Sequence, residues 1–162
     1  MNKAVLLDRD GTINVDHGYM HDPALLEFLP GAVEALKMLA DEGYILIIIT
    51  NQSGIGRGYF TEDQYNTFND VVVTQLKGEG IEIADTFMCP HSPDDLCSCR
   101  KPYPYMAQRA IERYDIDVAT SYMFGDKPSD VACGQAAGLT ARLISGEEDL
   151  LYWSKEVINN RL

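Results

Sequence analysis

Apolar positions along the chain alternate between two kinds of segment. Residues 44–49 are continuously apolar and rich in isoleucine, the pattern of a strand covered on both faces. Residues 3–7, 121–124 and 139–144 are further short strand candidates, and residues 84–88 a weaker one. Between them the apolar spacing becomes helical. Pro30-Gly31 opens a helix with Val33, Leu36 and Leu39 on one face, closed near Gly43. Thr61 and Gln64 form a capping box ahead of a stripe of Tyr65, Phe68, Val72 and Leu76. Met106, Ala110, Ile111 and Tyr114 predict a third helix, and residues 131–137 a small-residue helix stopped by Gly138. Residues 50–54 read as a polar turn and residues 89–102 as a loop rich in Pro, Cys and Asp. The tail, residues 147–162, reads as a helix with weak packing.

Strands alternating with helices over 162 residues predict a single α/β domain, residues 1–162, built on a doubly wound parallel sheet. Ligands of such sheets bind beyond the carboxyl ends of the strands. Asp8, Thr50, Lys101 and Asp126 all follow or end strand candidates, so the topology brings them to one edge.

Asp8-Arg9-Asp10-Gly11-Thr12 sets two carboxylates two residues apart where a strand ends. Asp126 and Asp130 add two more after another strand. Carboxylates gathered this way repel and call for a cation, and an oxygen-only set selects Mg²⁺. Beside it, a carboxylate can attack phosphorus to give an aspartyl-phosphate. A second one can protonate the leaving oxygen and later activate water. On its own, Asp-x-Asp-Gly fits an ordinary turn about as well. Phosphoryl transfer also needs groups that neutralise spread negative charge. Thr50, Arg100, Lys101 and Lys127 offer a hydroxyl and three cations near strand ends.

Three of the four cysteines, Cys89, Cys97 and Cys99, fall within eleven residues, with His91 among them. Three thiolates and one imidazole suit tetrahedral Zn²⁺ with no open position, hence a structural staple for a loop with little regular structure. It would aim Arg100 and Lys101, which follow the last ligand directly. Cys133 reads as a small buried residue on its helix.

Charge narrows the partners. The formal net charge is −12. Nucleic acid and anionic membranes are therefore disfavoured as partners, while a small anionic substrate needs only a few local cations. Those cations are Arg100, Lys101 and Lys127, with Arg57 and Arg9 as further candidates. The four-residue apolar run before Asp8 is too short for a signal peptide, and free thiols suit a reducing compartment, so a cytoplasmic monomer is expected.

Together these residues resemble the haloacid dehalogenase superfamily of phosphotransferases, over nearly the whole chain to about residue 144. Asp8 to Thr12 look like its first motif, Thr50 its second, Lys101 its third, and Gly125-Asp126 with Asp130 its fourth. Asp8 to Tyr19, Thr50 to Ile55, Cys89-Pro90-His91 and Cys97 to Pro102 resemble, more narrowly, the heptose bisphosphate phosphatases. That resemblance implies removal of the 7-phosphate of D-glycero-D-manno-heptose 1,7-bisphosphate, on the route to nucleotide-activated heptose for surface glycans. It implies Asp8 as nucleophile and Asp10 as general acid/base. It implies Mg²⁺ on Asp8, the Asp10 backbone carbonyl and Asp126. Thr50 and Lys101 would steady the phosphoryl group, and Arg100 would recognise the substrate. Asp16, His17, Gly18, Tyr19, Asn51, Gln52, Ser53, Arg57 and Lys127 would line its pocket. The stretches between motifs leave no room for a second domain, so the fold is expected to be capless.

Two other readings stand beside this one. The spacer between His91 and Cys97 is short, closer to histidinol-phosphate phosphatases, which share the zinc loop. A phospho-acceptor signalling domain also carries Asp, Thr and Lys at strand ends, but Asp10 promotes turnover rather than storage of the phosphoryl group.

Overall fold

The chain, described over residues 1–162 by a computed structural model, is organised by one five-stranded sheet. Its strands are β1 (Ala4–Leu7), β2 (Ile45–Asn51), β3 (Ile83–Cys89), β4 (Tyr122–Gly125) and β5 (Thr140–Leu143). All pairings are parallel, in the order β3-β2-β1-β4-β5. The helices are α1 (Ala32–Asp41), the one-turn α2 (Ser53–Gly56), α3 (Glu62–Gly78), α4 (Tyr105–Arg113), α5 (Pro128–Ala136) and α6 (Leu150–Ile158). None is long and apolar enough to cross a membrane.

The unbroken apolar runs of the inner strands follow from burial on both sides. Val5, Leu7, Leu46 and Ile48 face one core with α1, α3 and α6. Ala4, Leu6, Ile47 and Ile49 face the other with α4 and α5. The expected stripe of α3 is all buried, at Tyr65, Phe68, Val72 and Leu76, and its Thr61–Gln64 capping box forms. Each such side chain contributes about 1.5–3 kcal/mol on burial. The small residues of α5 have a packing reason. A Cβ on Gly134 would lie 2.8 Å from Met123 Cβ and 2.9 Å from Ala141 Cβ, so only glycine lets the helix come this close to β4 and β5.

Two segments depart from expectation. Residues 53–56 form a short helix where a turn was expected, with Gln52 at its N-terminal cap position. The tail is helical, as its pattern predicts, but its packing is not weak. Leu150 and Val157 are buried in the first core, and Trp153 Nε1 donates to the Leu143 carbonyl at 3.1 Å. α6 lies against α1. The reason is topological: that face of β1 and β4 needs cover beyond what α1 and α3 provide, and only the tail remains to supply it.

The strand order reverses between β1 and β4, since the chain builds leftward from β1 to β3 and then crosses to β4. Leu7 pairs with both Ile48 and Phe124, so β1 and β4 end nearly level at that crevice, while β2 runs on to Asn51.

Candidate active site and metal centre

Asp8 is the first residue past β1, and its N–H donates to the Phe124 carbonyl at 3.0 Å. Asp126 is the first past β4. Asp130 sits in the first turn of α5, where its carboxylate accepts from the Lys127 N–H at 3.1 Å. Oxygens of Asp8, Asp126 and Asp130 lie within 4.8 Å of one another. Gly11 makes this approach possible, because a Cβ there would collide with the Asp126 carboxylate, and its φ of 88° suits glycine.

Lys101 reaches into the same place. It is 3 % exposed. Its Nζ donates to Asp8 Oδ1 at 2.9 Å, to Asp130 Oδ1 at 2.6 Å and to the Ile49 carbonyl at 2.7 Å. Burial alone would lower its pKa, but the Asp8 and Asp130 carboxylates outweigh it and hold the ammonium above the ordinary lysine range. The backbone of Lys101 is pinned as well. Asn51 accepts from its N–H at 3.0 Å and donates to its carbonyl at 3.2 Å. Thr50, buried in β2, accepts from Gln52 Nε2 at 2.8 Å.

Above this floor opens a cavity of about 300 Å³ with an almost wholly polar lining. Asp8, Asp10, Asp16, Gly18, Tyr19, Thr50, Asn51, Gln52, Ser53, Arg57, Arg100, Lys101 and Lys127 all line it. Arg100 Nη1 is a buried donor with no protein partner, the situation of a group shaped for an anion.

Two expected members are placed elsewhere. His17 is exposed and outside the lining: Asp16 Oδ1 accepts from the Gly18 N–H, and the chain turns through left-handed Gly18 and Tyr19, leaving the imidazole on the outer side of the bend. Arg9 is no pocket cation either. It is fully buried, with its guanidinium against Tyr65 and Phe68 and paired with Asp10. Sequence reasoning missed Asn14 and Asn69 as partners of this pair, and Ser129 in the lining. The one available signal was that Asn14 lies four residues from Asp10 in a turn that folds back on itself.

The oxygen-only donor set fits Mg²⁺. Burial, then the neighbouring Asp8 and Asp130 carboxylates, push the Asp126 carboxyl up to about 7. Its Oδ1 is buried with no hydrogen-bond partner. A divalent cation answers both features at once. The Asp10 carboxylate accepts from Arg9, Asn14 and Gln52 and still lines the cavity, so the metal ligand expected of this residue is its backbone carbonyl.

The second cluster is local. Cys89 ends β3, and His91, Cys97 and Cys99 follow in the loop, all four ligand atoms within 4.8 Å of one another. Cys89 and Cys99 sulfurs are 2.8 Å apart, and His91 Nδ1 is 3.2 Å from Cys99 Sγ and 3.4 Å from Cys89 Sγ. A closed set of three sulfurs and one nitrogen is compatible with structural zinc.

Comparisons with known proteins agree with this geometry. A family described as HAD-hydrolase-like matches residues 98–151. The D-glycero-beta-D-manno-heptose-1,7-bisphosphate 7-phosphatase of Pasteurella multocida is 43 % identical over 143 residues, covering 85 % of this chain and 78 % of that protein. The D-glycero-alpha-D-manno-heptose-1,7-bisphosphate 7-phosphatase of Photorhabdus laumondii is 43 % identical over 144 residues, covering 85 % and 79 %. The D,D-heptose 1,7-bisphosphate phosphatase of B. bronchiseptica, solved with magnesium and phosphate, superposes with a TM-score of 0.90 at 32 % identity, over 98 % of this chain and 99 % of that one. The chain belongs to the heptose bisphosphate phosphatase family of haloacid-dehalogenase-like hydrolases.

Proposed function

We propose that this chain hydrolyses the 7-phosphate ester of D-glycero-D-manno-heptose 1,7-bisphosphate. The carrying observation is Asp8 at the strand crevice, with Lys101 Nζ on its Oδ1 at 2.9 Å and a polar cavity above it that Arg57, Arg100 and Lys127 also line. The family supplies the substrate class; the cavity has the cations such a substrate needs.

In this reading the free Asp8 oxygen attacks phosphorus as the bond to the sugar oxygen breaks. That oxygen leaves with a proton from Asp10, giving the alcohol and an aspartyl-phosphate. Water then attacks the phosphorus and gives a proton to Asp10, and Asp8 departs as carboxylate with release of inorganic phosphate. Lys101 and Thr50 hold the phosphoryl oxygens, and Arg57, Arg100 and Lys127 take the remaining negative charge of the substrate. Asp8, Asp126 and the Asp10 backbone carbonyl would hold Mg²⁺, which neutralises charge on the transferring group when bound. Cys89, His91, Cys97 and Cys99 would hold zinc, whose part is to fix the loop that ends at Arg100 and Lys101. The whole assembly works as one capless domain, residues 1–162, a monomer of the cytoplasm without nucleic-acid or membrane partners.

The test is kcat/KM for both anomers of the heptose bisphosphate and for histidinol phosphate. A heptose anomer is expected to lead histidinol phosphate by at least about 100-fold, since hydroxyl-binding groups left unpaired by the wrong substrate are costly. The reverse order contradicts the substrate assignment. A stable phosphoprotein without turnover would point instead to a phospho-acceptor domain.

A further inference from the structure

The reaction just described gives Arg9 nothing to do, yet no charged side chain in the protein is more deeply buried. Its guanidinium fork grips the carboxylate of the next residue. Arg9 Nε donates to Asp10 Oδ1 at 2.9 Å, and Nη2 donates to Oδ2 at 3.1 Å. Behind the fork, Nη1 donates to Asn69 Oδ1 at 3.3 Å, and Asn69 Nδ2 donates to Thr86 Oγ1 at 3.3 Å. The guanidinium carbon lies 4.8 Å from the Phe68 ring centre and 5.4 Å from that of Tyr65. The carboxylate is gripped from its other side too. Asn14 Nδ2 donates to Oδ1 at 3.0 Å and Gln52 Nε2 to Oδ2 at 3.2 Å.

We propose that Arg9 is a positioning residue: anchored on α3 through Asn69, Tyr65 and Phe68, it sets the orientation of the Asp10 carboxyl toward the leaving oxygen. The inference rests on the reading of Asp10 as general acid. Stability alone gives Arg9 a poor reason to be there. A buried ion pair is often no more stabilising than apolar side chains of similar volume, and the Arg9 site is walled by aromatic rings that an apolar chain would suit. What an apolar chain cannot supply is a rigid two-point grip on a carboxylate.

The experiment compares kcat/KM, which reports the step in which the leaving group departs, for two esters. One is the heptose bisphosphate, whose alkoxide leaving group needs a proton. The other is p-nitrophenyl phosphate, whose leaving group does not. Arg9→Met is expected to lose about 100-fold on the sugar ester and less than about tenfold on the aryl ester. Arg9→Lys, which keeps the charge without the fork, is expected to lose nearly as much as Arg9→Met. Equal losses on both esters, or full activity in Arg9→Lys, overturn the proposal. Should Arg9→Met fail to fold, Asn69→Leu decides: it removes the rear anchor from outside the cavity and should show the same selective loss at about tenfold, and an unselective loss overturns the proposal. Asp10→Asn is run in parallel. If it shows no preference between the esters, the general-acid reading fails and the proposal with it. If Asp10→Asn is selective and the Arg9 variants are not, only the positioning role fails.

Discussion

The carboxylate cluster and the Cys–His loop are both candidate metal sites, yet they are built in opposite ways. The four ligands of the loop come from residues 89–99, one stretch of chain. The carboxylates come from residues 8, 126 and 130, and Lys101 from between them, so only the sheet brings them together. The loop set is closed, with every ligand from protein, and lies beside the cavity. Two members of the carboxylate set, Asp8 and Asp130, line the cavity. On the proposed mechanism this is a division of labour: sequence-local chemistry would fix a loop, and topology-assembled chemistry would do the reaction.

The sharpest way to break that division is to remove one member from each side. Asp8→Asn is expected to lower turnover by about 10⁶-fold, the scale of a lost nucleophile. It should leave a zinc content of about one per chain and an unchanged near-ultraviolet circular dichroism spectrum. Cys97→Ser should do the reverse. It lowers zinc content measured by elemental analysis, and kcat/KM falls by about tenfold, the loss expected from removing Arg100 outright, with the reaction itself kept. The backbone of Lys101 retains its Asn51 clamp in that variant. Arg100→Ala, at the junction of the two regions, should raise KM by about tenfold with kcat little changed, because its contact is made equally in ground and transition states. A fall in kcat instead would place it in the reaction. Thr61→Ala lies outside both regions. It removes the cap of α3 and should cost about 1 kcal/mol in urea unfolding with kcat/KM unchanged.

The two regions also differ in how far sequence exposes them. The ligand spacing of Cys89, His91, Cys97 and Cys99 is written in the chain and needs no fold to be seen. Asp8, Thr50, Lys101 and Asp126 can be joined only by the rule that parallel sheets gather their strand ends, and the reversal of strand order between β1 and β4 is what makes the rule work here. What escapes sequence is long-range and three-dimensional. Arg9 reads as a further cation for the pocket, and nothing local says that Asn69, sixty residues on, will hold it beneath the floor. His17 falls in a motif whose neighbours line the cavity, but two successive left-handed residues, one of them Tyr19, turn it outward. The tail reads as weakly packed because nothing in its own residues names the surface it covers; the need it meets, an uncovered face of the sheet beside α1, is visible only once the strand order is known.

In the proposed mechanism Asp8 carries the phosphoryl group in turnover. Rapid acid quench of a single turnover, followed by peptide mapping, tests it directly. A hydroxylamine-labile phosphoryl group is expected on the peptide bearing Asp8, forming and decaying at rates that match phosphate release, and absent in Asp8→Asn. Phosphate release with no covalent intermediate, or with the label on another residue, would contradict it.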